Sequence, residues 1–262
     1  MTVRLRTSLG HLARAWLLEL RVLSADRFFV FLTVVLPLVF ASIGHFMFQG
    51  SHRPAQAVSI ALSAGLMGMW STTLLGAGSA ITRLRHMGVL EPLVASPTAT
   101  MMSVLPFMLA SATGGVYSLF TTLTWSALLF HMPLQLSHPL LLILAVVLTV
   151  LSVALLGMVL ACAFILYPTA QSLANLLEYP IWMLSGMLVP IDRLPGAFRY
   201  VSYCLAPTWG VKSVLGAALD ADPPYRAMSL MVIQSVIYVG LACLLLRRFE
   251  WLARKRGTLA LQ

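Results

Sequence analysis

Long apolar runs separated by short polar connections occupy most of the chain. Most of them reach or exceed the 20 or so residues that a helix needs to cross the hydrocarbon of a bilayer. The pattern predicts an all-α integral membrane protein with six transmembrane helices between residues 28 and 246. The predicted spans are Phe28–Phe48, Ala55–Ile81, Met101–Phe130, Pro139–Tyr167, a fifth that begins near Gln171, and Ala227–Leu246.

Residues 1–27 follow a different pattern, in which apolar side chains recur at helical spacing along one face. That face carries Leu5, Leu9, Leu12, Trp16, Leu20 and Leu23, and the opposite face carries Arg4, Thr7, His11, Arg14 and Arg21. This arrangement is typical of an amphipathic helix that lies in the cytoplasmic interface of a membrane. A solvated helix packed against a soluble partner is the alternative.

Composition and charge agree with a single membrane domain over residues 1–262. Hydrophobic residues make up 60% of the chain and charged residues 10%, while the net charge is +9. The Lys and Arg residues cluster before the first span, after the second and in a basic tail, residues 247–262. This positive-inside bias predicts that both termini are cytoplasmic, with membrane lipid and not nucleic acid as the surrounding partner.

The second predicted span is rich in glycine and hydroxyl residues, which indicates close helix packing. A polar lining for a substrate path is the alternative interpretation. The fifth span contains Asn175 and Glu178, and a carboxylate inside an apolar run is a functional-site hypothesis by default. Glu178 could instead tie helices together by a hydrogen bond, or couple transport to protons.

Two further segments are unlike ordinary connections between spans. Thr82–Thr100 mixes Arg83 and Arg85 with an apolar set that includes Leu90 and Leu93. A basic connector accounts for the arginines, whereas a short helix docking into a groove on another protein accounts for both. Leu184–Lys212 combines prolines, glycines and aromatic residues, which suits short helices broken at membrane depth.

Recognisable catalytic motifs are missing from the sequence. It contains no GxxxxGK[ST] phosphate loop and no HExxH, GxSxG or CxxC motif, so we do not expect an enzyme. His131 and His138 share a predicted outer loop, but no carboxylate or cysteine accompanies them, and we expect no metal site.

Two of these stretches resemble signatures of ABC-2 type transporter permeases. Gly88–Pro97, GVLEPLVASP, is similar to the family pattern G-T-L-E-x-L-x-x-[ST]-P, and Leu184–Pro195, LSGMLVPIDRLP, is similar to F-L-S-G-x-x-[FV]-P-x-x-x-L-P. Pro207 matches the family's proline before the last loop. The chain departs from the pattern at Arg83, Arg85 and His86, where members usually carry acids, and at Pro92, which would start or split the expected helix.

The resemblance implies a permease that dimerises and works with two copies of a separate cytoplasmic ABC ATPase, which would bind ATP and Mg²⁺. The N-terminal helix and the loop after span 2 would contact the ATPase. The implied coupling residues are Arg83, Arg85, Gly88, Leu90, Glu91, Leu93, Ser96 and Pro97. The implied outer gate consists of two re-entrant helices between spans 5 and 6, with Gly186, Pro190, Leu194, Pro195, Phe198, Tyr203 and Pro207.

The function expected from this resemblance is that of an ABC exporter in a bacterial inner membrane. Its substrate would be a hydrophobic or amphipathic drug, antibiotic or lipid-like molecule, and a lipid-linked glycan or lipo-oligosaccharide is the alternative. A proton-coupled secondary transporter working through Glu178 and a non-transporting scaffold are the other classes considered.

Overall fold

The computed structural model describes residues 2–47, 54–86, 88, 100–131, 137–166, 170–219 and 224–256. Over these residues the chain is helical, with short turns and no strand. The α-helices are α1 (Thr2–Ala25), α2 (Arg27–Met47), α3 (Pro54–His86), α4 (Thr100–Leu129), α5 (Pro139–Leu166), α6 (Ala170–Leu184), α7 (Gly196–Tyr203), α8 (Ala206–Leu219) and α9 (Tyr225–Arg256). A single 3₁₀ turn, Ile191–Arg193, separates α6 from α7.

Five of the described helices are long and apolar enough to cross a membrane. The apolar segments are Arg27–Met47, Val58–Gly76, Val104–Leu129, Pro139–Cys162 and Tyr225–Leu246. The predicted fifth span is α6, and its 15 residues give a length of about 22 Å at 1.5 Å per residue, less than the roughly 30 Å of hydrocarbon. The expected count of six full-length spans is therefore not confirmed.

The amphipathic helix α1 packs its apolar face against α4 and α2. Leu23 is buried, and the Trp16 indole donates a hydrogen bond to the Thr113 hydroxyl of α4 at 3.3 Å. Leu17, Leu18 and Val22 remain exposed on the opposite side. The face that the sequence assigned to the membrane interface is thus partly used for packing within the chain.

Asp26 separates α1 from α2 and caps the second helix. Its carboxylate accepts hydrogen bonds from the backbone N–H groups of Phe28 at 2.9 Å and Phe29 at 3.3 Å. These N–H groups have no partner within the helix, so an N-cap carboxylate stabilises the start of α2. The cap fixes the point at which the chain leaves α1 and enters the first apolar span.

The centre of the molecule is the contact between α3 and α4, which is close because glycines of each helix lie against the backbone of the other. A Cβ built on Gly65 would lie 2.8 Å from Cα of Leu119, and one on Gly115 would lie 2.5 Å from Cα of Met69. Backbone at this distance leaves no room for a methyl group, which is how small residues allow helices in a membrane to approach. The expectation of close helix packing in the second span is confirmed.

Two helices extend further than the sequence analysis predicted. α3 continues to His86, so Arg83 and Arg85 belong to its last turns and not to a loop that starts at Thr82. α9 continues to Arg256, so the whole segment 247–256, the first part of the predicted basic tail, is helical. Leucine and arginine are good helix formers, and no proline or glycine interrupts either extension, which explains why the helices do not end with the hydrophobic span.

Candidate functional site

The hydroxyl residues of α3 are used mainly for packing. Ser63, Ser71, Thr72 and Thr73 are all buried within the chain. Thr72 and Thr73 donate to the carbonyl oxygen of Met69, at 2.9 and 2.8 Å. These two hydroxyls are therefore satisfied by their own helix and covered by the helices packed around it.

Ser71 differs from its neighbours because it also reaches another helix. Its hydroxyl donates a hydrogen bond to a carboxylate oxygen of Glu178 on α6. Ser71 lies within the apolar segment Val58–Gly76, so the contact places Glu178 at membrane depth. Glu178 is partly exposed, and Asn175, one turn earlier on α6, is exposed.

An aromatic cluster continues along α6 from Glu178. The Tyr179 and Trp182 rings meet edge to face with centroids 5.1 Å apart, and Phe40 of α2 contacts Trp182 in the same way at 5.0 Å. Trp182 is 2% exposed, whereas Tyr179 is 65% exposed. One side of α6 is therefore fixed against α2 and α3, while Tyr179 and Asn175 face away from the rest of the chain.

The segment after α6 begins at a glycine in the left-handed region of backbone conformation. Gly186 has φ +86°, which L side chains rarely adopt, and a Cβ there would lie 2.9 Å from the Ile191 side chain. Pro190 directly precedes the 3₁₀ turn and Pro195 directly precedes α7, so each proline marks the start of a helix. Leu194 is buried between them.

Helix α7 is mostly exposed, whereas helix α8 is mostly buried. α7 is amphipathic, with Phe198 54% and Tyr203 36% exposed. α8 is almost entirely buried, including Pro207 in its first turn, and packs against α5, α9 and α3. Tyr203 stacks on Trp209 with ring centroids 5.5 Å apart, and the Lys212 ammonium lies 5.0 Å from the Tyr203 ring and 5.4 Å from the Trp209 ring.

The corner between α7 and α8 is bound to the middle of α9 by two residues that the sequence analysis did not single out. The Tyr238 hydroxyl donates to the Cys204 carbonyl oxygen at 2.7 Å and accepts from the Ala206 N–H at 3.1 Å. The Gln234 side-chain amide also donates to the Cys204 carbonyl. A glutamine and a tyrosine four positions apart inside the apolar segment of α9 are the signal that could have identified this pair.

The opposite end of α8 meets the start of α5. The N–H groups of Ser137 and His138 donate to the carbonyl oxygens of Ala218 at 3.1 Å and Ala217 at 3.2 Å. Tyr238 lies thirteen positions along α9 from Tyr225, or about 20 Å. The corner at Cys204 therefore lies near the middle of the apolar segment of α9, while α8 returns to the beginning of that segment.

The predicted coupling residues are only partly described. The backbone of Arg83 and Arg85 lies in α3, and Gly88, with φ +66°, is exposed. A glycine in this conformation after a helix is a usual way to end it. Leu90, Glu91, Leu93, Ser96 and Pro97 lie outside the described residues.

Comparison with known families decides the assignment. Residues 13–219 match the family model described as ABC-2 type transporter, which covers well over half of the chain. The chain belongs to the ABC-2 type transporter family. No curated protein matches the chain.

As a member of this family, the chain is the multi-pass membrane component of an ABC-type transporter and not its ATPase. Such permeases generally work with an ABC ATPase partner. The match covers the end of α3 and the whole segment from α6 to α8, and so includes both predicted motif regions.

Proposed function

We propose that this permease forms the substrate path of an ATP-driven exporter, as a homodimer bound to two cytoplasmic ATPase subunits. The observation that carries the proposal is the broken passage from α6 to α8. A short helix ends at Gly186, and α8 begins at a corner held by Tyr238 near the middle of α9. A membrane anchor does not require such a passage, whereas irregular backbone at membrane depth is found where it borders protein or a path.

In this proposal α6 is the fifth, shortened span, and α7 and α8 are the two re-entrant helices at the outer end of the path. The buried surface of α8 supports its position inside the protein, and the exposed face of α7 supports a position toward the path. Both termini then lie in the cytoplasm of a bacterium, in agreement with the basic residues of α1 and the end of α9.

ATP-driven closure of the two ATPase subunits would push on the segment after α3. Because α3 runs as one helix from Pro54 to His86, a displacement at Gly88 is transmitted to Ser71 and hence to α6. The shift between states must come from contacts that differ in the two states. Glu91 is the proposed polar contact with the ATPase, and Leu90 and Leu93 are the proposed docking face.

The proposed substrate is a hydrophobic or amphipathic molecule. The surface of α6 that faces away from the protomer supports this, because Leu176, Tyr179 and Met183 are all exposed on it. The test is reconstitution of the permease with its ATPase in proteoliposomes. ATP-dependent movement of an amphipathic substrate from the ATPase side to the opposite side supports an exporter, and movement that needs a proton gradient but no ATPase overturns it.

A further inference from the structure

The apolar face of α1, which the sequence places in the membrane interface, packs against the chain itself. Leu23 is buried, and Trp16 donates its hydrogen bond to Thr113 of α4. Glu19, the acidic residue of α1, is buried as well, on the same side of the helix as Trp16 and Leu23. The side of α1 that stays available to another molecule is therefore the opposite one.

The exposed side of α1 combines arginines with leucines. Arg14 and Arg21 are both exposed and lie seven positions apart, so they share one line along the helix with about 10 Å of axis between them. Leu17 and Leu18, which lie between them in the chain, are 45% and 64% exposed. Over residues 10–25, where the structure describes the side chains of α1, no acidic side chain is exposed. This side is thus both positively charged and apolar.

Contacts with α4 place α1 at the depth where the first span begins. Trp16 reaches Thr113, and Phe29, in the first turn of α2, lies against the next residue of α4. A Cβ built on Gly114 would lie 3.4 Å from the Phe29 ring. The apolar segment of α2 begins at Arg27. α1 therefore lies at the boundary of the bilayer, where the lipid headgroups are.

Exposed apolar side chains continue from α1 into the first turns of the span. Val22 is 42% exposed on α1, and Phe28 and Phe31 are 69% and 56% exposed on α2. A lipid complements both parts of this surface, because its acyl chains cover apolar side chains and its phosphate binds guanidinium groups. A soluble protein would cover the arginines but not the phenylalanines that enter the hydrocarbon.

We propose that the exposed side of α1 binds anionic phospholipids of the bilayer. Arg14 and Arg21 contact the headgroups, while Leu17 and Leu18 contact the adjoining part of the acyl chains. A zwitterionic headgroup offers the same phosphate but carries its own positive charge, so it binds more weakly. This selectivity goes beyond the proposed function and depends on neither the substrate nor the direction of transport.

The experiment measures lipid binding to the full chain in detergent by native mass spectrometry. Phosphatidylglycerol and phosphatidylcholine with identical acyl chains are added in separate titrations. We expect phosphatidylglycerol to bind more tightly. Arg14→Gln and Arg21→Gln should each weaken its binding by roughly fivefold, the effect of one arginine near an anionic membrane surface. Binding of phosphatidylcholine should change little, so the double variant should lose the preference between the two lipids.

The matched control is Arg193→Gln combined with Arg226→Gln, which removes the same charge from exposed positions outside α1. It should retain the preference for phosphatidylglycerol, whereas an equal loss in both double variants would reduce the effect to net charge and overturn the proposal. Arg14→Lys with Arg21→Lys keeps the charge and should retain most of the preference. If the preference is lost in the lysine variant as well, charge is not what this side recognises.

A protein partner on the same side of α1 is the outcome that would replace the lipid. If the double glutamine variant kept its preference for phosphatidylglycerol but no longer bound the ATPase subunit, this side would be a docking site for that subunit. Loss of the preference with ATPase binding retained supports the lipid site. The lipid titration needs neither ATP nor transport, so an exporter without lipid selectivity and a lipid-selective chain that does not export are distinguishable results.

Discussion

The Tyr238 hydroxyl joins two ends of one corner, donating to the carbonyl oxygen of Cys204 and accepting from the N–H of Ala206. Both groups are backbone atoms at a helix break, where no helical partner is present. In a membrane an unsatisfied backbone group is costly, so a tyrosine that satisfies two of them stabilises the break.

We expect Tyr238→Phe to lower the free energy of unfolding by about 1 kcal/mol, because it removes both hydrogen bonds. It should also speed exchange of the amide hydrogens of residues 204–206 and 208, measured by mass spectrometry in nanodiscs. Tyr225→Phe is the matched control, since Tyr225 is exposed at the start of the same helix. Equal exchange in the two variants would mean that the corner is held without Tyr238.

The glycine contact between α3 and α4 gives a second prediction. Gly115→Ala should lower the free energy of unfolding by about 1–3 kcal/mol, because its Cβ would lie 2.5 Å from the backbone of Met69. Gly240→Ala is the control, because a Cβ there meets nothing within 4 Å. The control should be neutral or slightly stabilising, since alanine favours a helix interior. Unfolding in a titration with sodium dodecyl sulfate measures both, and a neutral Gly115→Ala would contradict the tight contact.

Much of the fold could be predicted from the sequence because the membrane imposes a simple pattern. Apolar runs located α2 to α5 and α9 to within a few residues, except where α3 and α9 continue beyond the apolar run. Hydropathy reports where a chain is in hydrocarbon, but helices end where backbone geometry changes, as at Gly88 with φ +66°. A helix can therefore continue through a polar or basic turn that hydropathy alone assigns to a loop.

The candidate site was less predictable, since it depends on pairs that are distant in the chain. Glu178 was visible as an acid in an apolar run, but nothing in the sequence identifies Ser71, 107 positions earlier, as its partner. α6 could also not be distinguished from a full span, because the apolar residues continue through Met187 and Val189 beyond its end at Leu184. Gly186, at φ +86°, follows the end of α6, and Pro190 and Pro195 stand directly before the 3₁₀ turn and α7.

The segment after α3 carries the prediction that tests coupling to the ATPase. Leu90→Asp combined with Leu93→Asp should abolish the stimulation of ATPase activity by the permease in the reconstituted complex, because charged residues cannot enter an apolar groove. Leu90→Met with Leu93→Met keeps the apolar volume and should retain most of the stimulation. Full stimulation in the aspartate variant would remove the coupling role of this face.

Cysteine labelling of α7 tests whether this helix belongs to a gate. Phe198 and Tyr203 are 54% and 36% exposed in the protomer. If α7 borders the path, cysteines placed at these positions should react only partly with an impermeant reagent added outside. Their reactivity should change when nucleotide is trapped on the ATPase, because the outer end of the path then has a different conformation from that of the nucleotide-free transporter.

The labelling requires a background in which the exposed Cys204 is replaced by serine, since it would otherwise react next to Tyr203. A cysteine at Tyr225, which is 63% exposed at the start of α9, is the control for free access and should react fully in every state. If the cysteines at positions 198 and 203 behave in the same way as this control, α7 is an ordinary outer loop helix. State-dependent labelling at 198 with constant labelling at 225 supports a gate, because both positions face the same reagent and differ only in their relation to the path.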